Sequence, residues 1–236
     1  MPARAQLTRA QRTMLLVGLL PLIAVVAGGA AVTVGLIRGK LPYSYSAAFA
    51  PGADGVQIKA DVATQVEASL DGQVHVTVDG SYTAQQPDVQ IRTVDRQLVV
   101  QARCPDSGCH VDLTVEVPAV AAVRAKVEGA SLGVAGVSSP LAVDVSDGSL
   151  DLSRVRSRQV SADVRGGSAS LLFNDPPDRL AATASNGSIT VQLPRTTTYS
   201  IDAVAAQGST QVDVPNDATA THRLYLRTSY GSITVQ

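Results

Sequence analysis

The 236-residue chain contains no tryptophan, two phenylalanines and only three glutamates, Glu67, Glu116 and Glu128. With aromatics at 3 % of the residues, it lacks the ring platforms on which sugars stack, which weakens any saccharide-binding reading. Scarce Glu and Lys beside abundant Val, Ala, Ser, Thr, Gly and Asp disfavour long soluble helices and favour many short strands. A net charge of −1 hides an asymmetry. Residues 1–40 carry Arg4, Arg9, Arg12, Arg38 and Lys40 and no acid, so the remainder holds 14 basic against 20 acidic groups. An acidic main domain without a basic stripe is unsuited to nucleic acid.

Charge is also missing from Thr13 to Ile37, 25 residues that as a helix would extend roughly 37 Å, enough to cross a hydrocarbon core of about 30 Å. The arginines in front keep residues 1–12 as a cytoplasmic basic tail and send everything after Arg38 outward. The sequence therefore predicts a transmembrane signal anchor over 13–37 that contacts the lipid bilayer, an extracytoplasmic main domain, and a linker over 38–47. A cleaved signal peptide is the competing reading, because the small residues of Gly28–Val32 suit a protease, although the apolar run exceeds the usual signal core.

The two cysteines, Cys104 and Cys109, flank a Pro-Asp-Ser-Gly turn between two alternating segments. The spacing predicts a hairpin closed by a disulfide, which agrees with export. A metal site on Cys104, Cys109 and His110 is the alternative, but it has no fourth ligand and no common zinc spacing.

The hexapeptide GSITVQ occurs at 187–192 and again at 231–236. It belongs to a longer pattern of six corners: Ala130-Ser131, Gly148-Ser149, Gly167-Ser168, Gly187-Ser188, Gly208-Ser209 and Gly231-Ser232, spaced by 18, 19, 20, 21 and 23 residues. Counting the small residue as zero, positions −7, −5, −3, +2 and +4 are nearly all apolar, from Val123, Ala125, Val127, Leu132 and Val134 to Leu224, Leu226, Thr228, Ile233 and Val235. The positions between them are mostly Ser, Thr, Asp, Arg or Gln. Period-two alternation on both sides of a fixed corner predicts an all-β fold, a β-solenoid of about six two-stranded rungs over 119–236. Rungs stack because one alone cannot bury its apolar face. Glycine at zero is expected to allow a left-handed or crowded corner, and serine at +1 to bond backbone or its own copies on adjacent rungs. An antiparallel sandwich with Gly-Ser hairpins would alternate too, but would not repeat the dipeptide at one phase. Residues 48–118 are strand-rich without a clean register and are expected to form an irregular β cap over the first edge. At the other end the chain stops inside a strand, so the C-terminal edge is either shielded by a loop or available for self-association.

The units DGSLDLS, NGSITVQLP and YGSITVQ, with the lead-in VDLTVEVP, resemble the bacterial putative-adhesin β-solenoid family, a domain of unknown function, over roughly 45–236. The anchor in front matches an arrangement of actinobacterial members. The resemblance implies architecture and carries over no catalytic residue and no cofactor.

Chemistry is sparse. Asp144, Asp151, Asp163, Asp202 and Asp213 are expected on outward faces, and only Asp144 and Asp163 share a repeat position, −4, where they would stack as a weak cation site. His75, His110 and His222 accompany no recognisable nucleophile. The six serines recur too regularly to be nucleophiles, and the sequon Asn186-Gly187-Ser188 is accounted for by the repeat. Tyr199, Tyr225 and Tyr230 form the one aromatic grouping suited to surface contact. The sequence thus points to a non-catalytic, membrane-anchored solenoid that meets an unknown envelope or protein partner. An extracytoplasmic sensing or scaffolding module acting by self-association is the second reading, and an envelope glycan-processing enzyme the third.

Overall fold

A computed structural model describes residues 39–236; the expected tail over 1–12 and transmembrane helix over 13–37 lie outside them. The described residues are all-β, with no helix, in two sheets in which parallel pairing predominates. Sixteen of the nineteen strands form eight consecutive pairs. These are β2 (Val56–Ala60) with β3 (Ala63–Ser69), β6 (Gln97–Arg103) with β7 (His110–Pro118), and β8 (Val123–Glu128) with β9 (Leu132–Ala135). Next come β10 (Leu141–Ser146) with β11 (Leu150–Val155), β12 (Gln159–Arg165) with β13 (Ala169–Phe173), and β14 (Arg179–Asn186) with β15 (Ile189–Gln192). The last are β16 (Tyr199–Gln207) with β17 (Thr210–Val212), and β18 (His222–Tyr230) with β19 (Ile233–Val235). The other three are β1 (Leu41–Phe49), β4 (Val74–Tyr82) and β5 (Asp88–Val94).

In each pair the first strand lies in one sheet and the second in the other. The nine-stranded sheet runs β16-β18-β14-β12-β10-β8-β2-β6-β5, and the ten-stranded sheet runs β1-β4-β7-β3-β9-β11-β13-β15-β19-β17. The pairs stack in the same order in both sheets. Successive strands match residue for residue, as in Val123, Leu141, Val160, Leu180 and Leu224, so the −7, −5 and −3 columns and the +2 and +4 columns run straight through the interior. Outside β16–β17 these positions are buried, many at 0 % exposure. Alternation produces this result: on a strand, every second side chain faces the opposite sheet.

The chain order is exchanged at both ends. The final pair, β18–β19, lies inside the stack between β14–β15 and β16–β17. The two GSITVQ copies are consequently neighbours, with Ile189 beside Ile233, Thr190 beside Thr234 and Val191 beside Val235. The exposed end is therefore β16–β17, and the C-terminal strand, expected to be either shielded by a loop or open, is bonded on both sides by neighbouring strands. The physical reason is apolar content. β18–β19 brings Leu224, Leu226, Ile233 and Val235 to the core, fully or nearly fully buried, whereas β16–β17 offers Ile201, Ala203, Ala205 and Val212, which stay half-buried. A loop covers the start of that edge: Tyr199 N–H donates to the Pro215 carbonyl, Asp217 N–H to the Tyr199 carbonyl, and Ile201 N–H to Asn216 Oδ1.

Residues 48–118 are also more regular than expected. β2–β3 pairs with β8–β9 in parallel and in register, and β6–β7 pairs with β2–β3, so there are eight strand pairs rather than about six. β4 and β5 join antiparallel, to β7 and β6, and close this end together with β1. The alternation was obscured because β4 and β5 interrupt the two pairs in sequence. The expected 38–47 linker is largely strand, since β1 begins at Leu41.

Candidate functional site

The corners form a single column. A Cβ placed on Gly148 would stand 1.8 Å from the carbonyl oxygen of Ala130, one on Gly167 1.9 Å from that of Gly148, and one on Gly187 1.9 Å from that of Gly167. The column continues in spatial order, with Gly231 against Gly187 at 2.3 Å and Gly208 against Gly231 at 1.9 Å. Glycine is required at Gly148, Gly167 and Gly187 by this approach of one backbone to the next, and not by a left-handed φ. At the corners of Ala130, Gly148 and Gly167 the left-handed residue is the one before, Gly129, Asp147 or Gly166. The serines bind the corners together. The carbonyls of Ser149, Ser168, Ser188, Ser232 and Ser209 accept from the +2 N–H of the preceding pair in the stack, and Ser131 serves Thr64. Ser168 Oγ accepts from Ser188 N–H at 3.3 Å, Ser188 Oγ from Ser232 N–H at 3.1 Å, and Ser209 Oγ donates to Ser232 Oγ at 3.1 Å. The corner serines are thus occupied by backbone and by each other.

Cys104 and Cys109 are joined by a disulfide with their Cα atoms 5.4 Å apart. It does not close a hairpin, because β6 and β7 belong to different sheets. The bridge spans the corner of the outermost parallel pair, the place filled elsewhere by Gly-Ser. With both sulfurs bonded, the metal alternative on Cys104, Cys109 and His110 does not hold.

Outward chemistry is mostly satisfied locally. Asp144 and Asp163 are register partners, as their shared position implied. The Arg165 guanidinium pairs with both carboxylates, so the two acids are neutralised where a cation would have to sit. Asp202 is held by Arg227, whose guanidinium lies 3.8 Å from the centre of the Tyr225 ring. The three tyrosines do not form a group. Tyr199 is fully buried, with its hydroxyl donating to the Pro194 carbonyl at 2.6 Å, because it starts a strand and turns into the core. Tyr225 and Tyr230 are about half exposed on β18, with Tyr225 covered by Arg227. His222 donates Nδ1–H to the Pro177 carbonyl at 3.0 Å. His75 lies 2.7 Å from Asp71, whose carboxyl is lowered to about 2, chiefly by the Gln73 N–H, with Ser69 and His75 adding to it.

One concave feature escaped the sequence. On the outer face of the nine-stranded sheet a trough of about 350 Å³ is floored by Ala142, Ser161 and Ala181 and bordered by Arg124, Gln159 and Arg179. The floor is low because three successive strands place small residues at −6, between larger neighbours. Arg179 and Arg223 continue along the same side at the strand starts as direct register partners, and Arg158 stands one position earlier, at −9, beside Asp178. Arg124, Arg179 and Arg223 make no ion pair among the described residues, while Arg158 lies 3.9 Å from Asp178. The available signal was arginine at −6, −9, −8 and −8 in four of the repeats.

No protein family and no curated protein matches the chain in sequence. The fold is shared with a putative cell adhesion protein from Clostridium sporogenes, with a TM-score of 0.50, 10 % identity, and coverage of 83 % of this chain and 99 % of that one. Weaker likenesses are a putative adhesin from Parabacteroides merdae, TM-score 0.40 at 9 % identity over 83 % and 96 % of the two chains, and one from Bacteroides fragilis, TM-score 0.36 at 16 % identity over 82 % and 97 %.

Proposed function

We propose that the strand pairs are the rungs of an exported β-solenoid, anchored in the membrane by 13–37 and devoid of catalytic function. It presents a rigid outer surface to an envelope or protein partner, as a membrane-anchored adhesin-like domain of the actinobacterial type. The observation that carries this reading is the unbroken parallel register of the nine-stranded sheet from β2 to β16, which holds outward side chains in straight columns at fixed spacing. A surface fixed in this way binds without an ordering cost. The likeness in fold to a putative cell adhesion protein supports it.

A second reading, sensing or scaffolding by self-association, is favoured by the half-buried inward side chains of β16–β17. Natural sheets blunt such edges, and the loop at Pro215–Asp217 does so over Tyr199 and Ile201, which favours the first reading. The test is proteolysis of spheroplasts followed by a pull-down from envelope extract with the full chain in detergent. The expected result is a main domain removed by external protease and specific retention of envelope material by a monomer. A cytosolic chain, no retained material, or turnover of an envelope glycan would contradict the proposal.

A further inference from the structure

We infer that the arginine-lined trough of the nine-stranded sheet docks a linear, phosphate-bearing polymer laid along the stack. This rests on reading the domain as a contact surface and names the chemistry of its partner. Arg124, Arg158, Arg179 and Arg223 belong to β8, the start of β12, β14 and β18, so the row crosses four strand steps, about 19 Å at about 4.8 Å each. All four side chains are exposed. Arg124, Arg179 and Arg223 have no carboxylate partner among the described residues, although the domain around them carries more acidic than basic groups. Positive charge left unpaired on an acidic domain is positioned for an anion from outside. Asp178 lies beside Arg158 and His222, and Asp144 and Asp163, both facing Arg165, border Arg124, Ala142 and Ser161 on the other side.

The trough itself selects among anions. Arg124, Gln159, Ser161 and Arg179 supply donors, and no carboxylate lines it. Guanidinium forks match phosphate and carboxylate oxygens alike in a bidentate way, so the choice between them falls to the shape of the floor. The floor of Ala142, Ser161 and Ala181 is narrow and shallow, suited to a thin chain that carries charge in its backbone. A carboxylated glycan would gain little there: no aromatic ring lines the trough, and the nearest outward ring in the same column, Tyr225, is already covered by Arg227.

The test measures binding of medium-chain inorganic polyphosphate to the full chain in detergent by fluorescence anisotropy across a salt series. Binding is expected to be saturable and to weaken with salt at a log–log slope of about −2 to −3, for three to four contacts. The triple variant Arg124→Gln, Arg179→Gln, Arg223→Gln is expected to bind at least about tenfold more weakly. The control triple Arg92→Gln, Arg96→Gln, Arg103→Gln removes equal charge from the far end of the same sheet and should bind within about twofold of wild type. Polyphosphate should also shield Arg124, Arg179 and Arg223 of the wild-type chain from phenylglyoxal, read by mass spectrometry. Absent binding, equal weakening by the control triple, absent shielding, or equally tight binding of polyglutamate would each overturn the phosphate partner. If envelope material is still retained in the pull-down, the contact-surface reading stands and only the phosphate assignment falls.

Discussion

A Cβ on Gly187 would stand 1.9 Å from the carbonyl oxygen of Gly167, and that oxygen is backbone within a stacked corner, so it has no room to withdraw. The same test at Gly133 meets Gln65 Oε1 at 2.0 Å, the end of a flexible side chain that can rotate away. Two glycines with similar apparent crowding therefore tolerate side chains very differently. Gly187→Val is expected to cost more than about 3 kcal/mol, and Gly133→Ala to stay within about 1 kcal/mol of wild type, both read from denaturant melts. The corner was legible in the sequence because a small residue followed by serine recurs at one phase in every unit. Its cause was only half legible. Crowding between neighbouring corners is a property of stacking, and the left-handed φ that the first corners need falls instead on Gly129, Asp147 and Gly166.

Strands and their faces were equally legible, since alternation states which side chains turn inward. What each strand pairs with was not. Cys104 and Cys109 illustrate the difference: their spacing fits a hairpin and a corner between sheets alike, and only the partners of β6 and β7 decide it. Tyr199 and Tyr225 follow the same rule, the first in phase with the core and buried, the second on an outward position of β18, whereas Tyr230, in inward phase at −1, is exposed because it ends the strand at its corner. The trough was hidden for a related reason. Ala142, Ser161 and Ala181 lie about 20 residues apart and make a depression only once their strands adjoin. Pairing also predicts how strands respond to proline. Thr234 lies mid-strand in β19, which is bonded on both sides, so Thr234→Pro should destabilise by about 3 kcal/mol or more. Val212 lies on β17, the edge. Asp213 N–H is directed at Val235, so the preceding N–H points away from β19, and Val212→Pro should cost no more than about 1 kcal/mol. Thermal melts of the two variants distinguish an interior C-terminal strand from an exposed one.

Across the whole molecule, the exchanged ends determine what is covered. β2–β3 and β18–β19 are drawn inward, β6–β7 is covered on its outer side by β5 and β4, and β16–β17 is left at the end, so of the last two pairs the more apolar has neighbours on both sides. Hints of this were present, such as polar Thr210 at an inward position and the nine-residue connection, 213–221, that returns the chain to β18. Every unit carries the same pattern, however, so many stacking orders satisfy the alternation, and the choice depends on relative burial summed over the stack. The order has a direct signature. With isoleucine δ1 methyls labelled, the exchanged stack predicts a strong nuclear Overhauser effect between Ile189 and Ile233, which are register partners on adjacent strands about 4.8 Å apart. A stack in chain order would place Thr210 between them and double that separation to about 10 Å. A strong Ile189–Ile233 contact is the predicted result. Its absence, with Ile189 instead contacting the Thr210 methyl, would contradict the account.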